Sequence, residues 1–228
     1  MERFYVKTEY STNTNIELTE NEHHHLSRVM RMHVGDEVEL VNGLGSKAPA
    51  RVSRIDKEKT SLHILSVEKE PPRPTHIFVG IPLMRPSKLE WVIEKGTELG
   101  ADAFFLYPAD HSTQDSLSNH QIDRLRTITI SALKQSKRLY LPSLEILPDL
   151  QSLLAKDAQI FFGDTRASAK AFAPRKDKTT LFITGPESGF SEKEVQLLDL
   201  KAEGVRLNPN VLRAETAPIV ALSILGHF

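Results

Sequence analysis

The stretch Ile183-Thr184-Gly185-Pro186-Glu187-Ser188-Gly189-Phe190-Ser191 combines a freely turning backbone with one carboxylate. Its glycines permit a sharp bend and close approach of the backbone to a ligand. The apolar run Leu181-Phe182-Ile183 precedes it, and Ser191 with Glu194 forms a capping box that marks a helix start. A helix N-terminus behind such a bend commonly holds phosphate. Here Glu187 would repel phosphate, and the bend itself contains no Lys or Arg. Neither G-x-x-x-x-G-K-[ST] nor G-x-G-x-x-G occurs. The chemistry suits a neutral or cationic ligand, although the same residue types also serve ordinary surface connections.

A second stretch has the same grammar. Val205-Arg206-Leu207 leads through Asn208-Pro209-Asn210-Val211-Leu212-Arg213 into Ala214-Glu215-Thr216-Ala217-Pro218. Ligands bind beyond the carboxyl ends of strands in open α/β sheets, so two such bends from neighbouring strands can share one pocket. His23-His24-His25 invites a metal reading, but consecutive helical residues point about 100° apart and cannot converge on one ion. No cysteine and no H-E-x-x-H supports it, so no metal is expected. Trp91 and the pair Phe104-Phe105 are read as core.

The elements that would carry these bends change character along the chain. Strands are predicted near the N-terminus over 3–6, 37–41, 50–55 and 61–67, with turn signals at 42–45 and 56–59, a spacing that suggests a small barrel. One helix interrupts them. Thr19 and Glu22 make its capping box, Leu26, Val29 and Met30 its inner face, and Gly35 ends the segment. The prolines at 71, 72 and 74 mark a stiff connector and a domain boundary. Beyond it strands are predicted over 76–83, 103–107, 159–163, 179–184 and 205–207. Helices are predicted over 88–99, 122–136, 191–202 and 215–225, with Leu89, Ile93 and Gly96, and Leu125, Ile128 and Ala132, facing inward. The alternation implies an α/β fold with a mostly parallel sheet covered on both faces.

The composition is that of a globular protein: 39 % apolar, 26 % charged, 228 residues and no cysteine, which fits a cytoplasmic address. No apolar run approaches the ~18 residues of a membrane span. The N-terminus has no apolar core of a secretory signal. A formal net charge of −1 means that any nucleic-acid contact must come from local basic stripes.

Five ordered motifs, taken together, resemble the RsmE family of 16S ribosomal RNA uridine-N3 methyltransferases, of the SPOUT class. They are His25-Leu26-Ser27-Arg28-Val29-Met30-Arg31-Met32 with Gly35-Asp36; Lys95-Gly96-Thr97-Glu98-Leu99-Gly100; Gln135-Ser136-Lys137-Arg138; the run from Ile183 to Ser191; and Leu212-Arg213-Ala214-Glu215-Thr216-Ala217. The resemblance implies a PUA-like RNA-binding β-barrel over 1–70 and a SPOUT α/β domain over 74–228 with a C-terminal trefoil knot. It implies S-adenosylmethionine as cofactor, a uridine of the small ribosomal subunit's 16S RNA as substrate, and a homodimer. By the same resemblance Ile183, Gly185, Pro186, Glu187, Gly189, Leu207, Pro209, Val211 and Leu212 bind the cofactor. This agrees with the charge of the first bend, since the cofactor carries a sulfonium and no phosphate.

Within that resemblance Arg213 is the candidate for stabilising charge on the uridine carbonyl oxygens, because it stays protonated. Glu215 is a base, an orienter of Arg213, or a structural ion-pair partner at a helix start. RNA contacts are expected from His24, Arg28 and Arg31, spaced i, i+4, i+7, and from a second stripe of Arg124, Ser131, Lys134 and Arg138. The chain departs from the family pattern at Ser188, where a positive φ would cost about 1 kcal/mol or more. It departs again at Asn208, at Asn210, where the family has arginine, and at Ser131. A non-catalytic RNA-binding or ribosome-assembly protein on the same scaffold is the alternative. An oxidoreductase is disfavoured by the missing glycine fingerprint.

Overall fold

The computed structural model describes residues 1–174 and 177–226. The chain divides into two compact units. One comprises Met1–Pro72 together with Leu133–Leu141, the other Arg73–Ala132 with Pro142–Phe228.

The first unit is a six-stranded curled sheet in the order β1-β3-β4-β5-β2, with β6 on β4. Its strands are β1 (Arg3–Tyr5), β2 (Asn15–Thr19), β3 (Glu37–Val41), β4 (Ser46–Ile55), β5 (Lys59–Ile64) and β6 (Glu68–Lys69). Side chains of β3 to β5 alternate between core and solvent, and Val38, Leu40, Ala48, Ala50, Val52, Leu62 and Ile64 close on Phe4, Leu18 and Leu26 as one core. The segment 139–141 returns to this unit. Leu141 N donates to Gly43 O, Gly45 N to Leu139 O, and the Tyr140 hydroxyl to Glu70 O. Gly43 and Gly45 have φ of 70° and 93°, and a side chain on Gly45 would collide with Tyr140. That turn therefore requires glycine.

The helix α1 (Glu20–His24) departs from expectation. Thr19 makes no side-chain cap, and the Glu22 carboxylate accepts from Tyr5 N at 3.1 Å and from Lys134 Nζ at 2.6 Å. A π-helical turn, His25–Val29, follows α1 and widens the spacing of side chains. Leu26 stays buried, but Val29 and Met30 are 60 % and 42 % exposed, so the predicted inner face fails after its first residue.

The second unit is a parallel seven-stranded sheet in the order β11-β13-β10-β12-β7-β8-β9. Its strands are β7 (Ile77–Pro82), β8 (Ala103–Tyr107), β9 (Ser143–Ile146), β10 (Gln159–Gly163), β11 (Lys170–Ala171), β12 (Thr180–Ile183) and β13 (Glu203–Arg206). The helices are α2 (Pro86–Glu98), α3 (Asn119–Gln135), α4 (Leu150–Leu153), α5 (Glu192–Lys201) and α6 (Thr216–Leu225). The central strands alternate between two cores. Val79, Ile81, Phe104 and Leu106 pack on α2, α3 and α6 through Leu89, Ile93, Leu125, Ile128 and Leu222. Phe105, Tyr107, Leu181 and Ile183 pack on α4 and α5 through Leu150, Leu153 and Leu198. Gly96 lets α2 approach the sheet, since a Cβ there would stand 2.6 Å from the Phe104 ring. Trp91, read as core, is 39 % exposed.

Candidate active site

Because the sheet is parallel, the carboxyl ends of its strands share one edge. The segments following β10, β12 and β13 enclose a cavity of about 740 Å3 there. The two bends read from the sequence both line it, but their strands are not neighbours. β10 pairs with both β12 and β13 and lies between them. It adds a third lining segment, Phe162-Gly163-Asp164-Thr165-Arg166, that sequence reasoning missed. The available signal was Gly163-Asp164 at the end of a correctly placed strand.

Gly185, Pro186, Glu187, Gly189, Leu207, Pro209, Val211, Leu212, Arg213 and Glu215 all line the cavity. Ile183 does not. It is fully buried in the core beneath, on the α4 and α5 face of the sheet. The bend after β12 is held from several sides. Thr184 Oγ1 donates to Ala214 O at 3.3 Å and ties the two bends together. The Tyr107 hydroxyl donates to Thr184 O at 2.8 Å, and complete burial pushes that phenol far above its ordinary range, so it remains a neutral donor. His111 Nδ1 meets the Gly189 carbonyl at 3.0 Å, a contact in which the ring nitrogen must donate. The predicted capping box is present: Ser191 Oγ accepts from Glu194 N, and the Glu194 carboxylate accepts from Ser191 N at 2.8 Å. Ser191 Oγ also donates to Asp110 at 2.5 Å, and Asp110 N donates to Glu194.

Two of the three departures in the bends, Ser188 and Asn208, are absorbed locally, while Asn210 leaves an exposed amide where the family pattern has arginine. The residue with positive φ is Gly189 at 81°, not Ser188, so serine carries no strain there. Asn208 is likewise not left-handed. Its side-chain Oδ1 accepts from Asn210 N at 2.9 Å, a turn that asparagine makes by itself.

The charges rearrange the sequence picture. Glu187 has a basic partner after all, supplied by the first turn of α2: Lys88 Nζ donates to Glu187 at 2.9 Å and to Glu215 at 3.1 Å. The ammonium bonded to Glu187 holds that carboxyl below the usual carboxylate range, helped by Arg85 and Arg213 nearby, and the Lys88 pKa is raised in return. Glu215 therefore pairs with Lys88 and not with Arg213. The exposed Arg213 guanidinium forms no hydrogen bond or ion pair with any described residue. On the far wall Arg166 is clamped between Asp164 and Asp199, with bonds of 2.7–3.0 Å.

Of the proposed RNA-contacting residues, His24, Arg28, Arg31, Lys134 and Arg138 belong to the first unit, Arg124 and Ser131 to the second. His24 and Arg28 are exposed, and so is Arg31, whose φ of 52° takes it out of the helical stripe. Exposed Val29, Met30 and Val34 flank them. Lys134 is only 16 % exposed and is committed to Glu22, which makes it a structural ion pair. Arg138 is half-buried and follows the end of α3. Arg124 faces Glu90 at 3.5 Å. His23 turns inward, its two ring nitrogens meeting Thr60 Oγ1 and Lys57 O at 2.8 and 3.2 Å. Among the described residues no cluster of His, Asp or Glu could hold a metal ion, and no helix is long and apolar enough to cross a membrane.

A family model described as an RNA methyltransferase domain matches residues 71–226, and one described as an RNA methyltransferase PUA domain matches residues 18–65. Fold and site together thus define an RNA methyltransferase. A Bacillus subtilis relative, ribosomal RNA small subunit methyltransferase E, is 31 % identical across all of this chain and 96 % of its own length. A methyltransferase from Legionella pneumophila in complex with the bound cofactor SAM has a TM-score of 0.89 at 26 % identity, over 98 % of this chain and 96 % of that one. A ribosomal RNA small subunit methyltransferase E from Neisseria gonorrhoeae, bound to S-adenosyl methionine, matches in fold with a TM-score of 0.89 at 24 % identity, over 99 % and 96 %. The chain belongs to the ribosomal RNA small subunit methyltransferase E family.

Proposed function

We infer that the chain transfers a methyl group from S-adenosylmethionine to N3 of a uridine in 16S ribosomal RNA, acting in the cytoplasm as a homodimer. The observation that carries this reading is the convergence of three strand-end segments on one cavity with an unpaired arginine at its rim. The cavity volume lies within the range of small-molecule sites. Leu207 and Leu212 offer apolar surface for a base, while backbone groups of the two bends offer donors and acceptors. Gly185 belongs to the cradle, since a Cβ there would stand 2.9 Å from the Phe190 ring. These residues fit the cofactor, whose sulfonium supplies an electrophilic methyl group when bound. The trefoil knot and the boundaries 1–70 and 74–228 belong to the same proposal, the last two residues lying outside the described ones.

N3 of uridine is weakly acidic and engaged in pairing within a duplex, so the target base must be presented unpaired. Arg213 is assigned to the carbonyl oxygens of that base. A guanidinium there stabilises the negative charge left as N3 gives its proton to water. Glu215 is assigned to holding Lys88, because its carboxylate already accepts from that ammonium. Orientation between the two bends supplies much of the remaining acceleration. RNA outside the target base is held by His24, Arg28, Arg31 and Arg138, with Lys134 serving the fold.

The test is direct. Small ribosomal subunits from cells lacking the protein are incubated with it and a methyl-labelled cofactor, and the nucleosides are resolved by mass spectrometry. N3-methyluridine in 16S RNA is the expected product. Calorimetry with S-adenosylmethionine excludes the non-catalytic scaffold if binding is tight. No label, or label on another atom, would overturn the assignment.

A further inference from the structure

Resting on the function proposed above, we propose that Lys88 is a positioning residue of the reaction: by binding Glu187 and Glu215 at once, it keeps both carboxylates from pairing with Arg213 and so leaves that guanidinium free for the substrate base.

The geometry is specific. Lys88 projects from the first turn of α2, whose start is fixed by Pro86. Its ammonium reaches a carboxylate on each of the two cavity segments, at 2.9 Å to Glu187 and 3.1 Å to Glu215. The Lys88 and Glu215 side chains are 26 % and 14 % exposed, so the pair is partly shielded from solvent. Arg213 lies close enough to Glu187 to add to its electrostatic stabilisation, yet donates no hydrogen bond to it. One residue, Ala214, separates Arg213 from Glu215 along the chain.

An arginine beside two carboxylates normally forms a forked pair with one of them. Such a pair would satisfy the donors that must meet a base carbonyl, and the substrate would have to break it first. Lys88 removes that competition. A lysine suits the task because its compact ammonium can serve two carboxylates approaching from different segments. The same bonds fix the bend after β12 relative to the start of α6, which places Arg213 between them.

The experiment measures methylation of small ribosomal subunits at saturating cofactor and RNA, alongside calorimetric cofactor binding. Lys88→Met is expected to lower kcat roughly ten- to hundredfold, the scale of losing one preorganised donor. Lys88→Arg is expected to retain most of the activity. The diagnostic variant removes both competing charges as well. Lys88→Met/Glu187→Gln/Glu215→Gln, assayed at saturating cofactor, should turn over faster than Lys88→Met, because Arg213 then has no carboxylate to pair with. Relief of an unpaired carboxylate would raise the melting temperature without raising kcat. The proposal is overturned if Lys88→Met turns over at the native rate, or if the triple variant is no faster than Lys88→Met. Inactivity of the native protein on ribosomal subunits would instead overturn the function reading. Thermal unfolding of each variant identifies a loss that comes from misfolding.

Discussion

At the scale of single residues, the candidate site turns on which charges are already satisfied. Arg213 has no hydrogen-bonded partner among the described residues, whereas Arg166, which lines the same cavity, is saturated by Asp164 and Asp199. Arg213→Ala is therefore expected to lower kcat by roughly a hundredfold while changing cofactor affinity little. Single-turnover kinetics and calorimetry on one preparation check it, and equal loss in both would reassign Arg213 to cofactor binding. The Ser191 cap makes a different kind of prediction. Ser191→Ala removes a cap and the bond to Asp110 together, and it should cost about 1 kcal/mol or somewhat more of stability. Denaturant midpoints measure this, and an unchanged midpoint would mean that neither bond is formed in solution. Residue identity made much of this legible. The capping box and the glycine bend are apparent from spacing, and Arg213 stood out through the family resemblance. Lys88 was not, because it is distant in sequence from both carboxylates it binds, and no local pattern encodes such a contact. Ser188 misled for the opposite reason: a family pattern suggested a strained place that the backbone here assigns to Gly189.

At the scale of elements, periodicity worked where one face is buried and the backbone is regular. The strands carrying the site and helices α2, α3, α5 and α6 lie within a few residues of their predicted positions. It failed at α1, where a π-helical turn breaks the 3.6-residue repeat and turns Val29 and Met30 outward. It also missed β2, β9 and α4, which are short and weakly patterned, and it could not order the strands. That β10 lies between β12 and β13 follows from long-range pairing, which leaves no mark in a local window. Gly96 gives an element-scale prediction. It is buried at the seam of α2 and β8, where an added Cβ would press on Phe104 and approach Leu222. Helix propensity alone would favour alanine by about 1 kcal/mol. Overpacking a closed seam costs typically 1–3 kcal/mol, and with Phe104 fully buried among neighbours the steric term should win. Gly96→Ala is thus expected to lower the melting temperature; a rise would mean that the ring can yield and that backbone entropy dominates.

At the scale of the whole molecule, the balance of charge makes RNA binding a local affair. A net charge of −1 gives no general attraction to a polyanion, and the proposed anchors of the RNA are His24, Arg28 and Arg31. These are exposed and, among the described residues, Arg28 and Arg31 enter no ion pair, while Lys134 is spent on Glu22. Three phosphate contacts to single-stranded RNA would give log affinity a slope of roughly −2 against log salt concentration. Arg28→Ala should make that slope shallower by about 0.7. Cofactor binding should respond far less, because the cavity mixes Lys88, Arg166, Arg206 and Arg213 with Asp164, Glu187 and Glu215. Titrating fluorescent RNA and cofactor across a salt series separates the two behaviours. An RNA affinity indifferent to salt would remove the basic stripe as the anchor and move recognition to the exposed Val29, Met30 and Val34, whose contacts with unstacked bases would survive high salt.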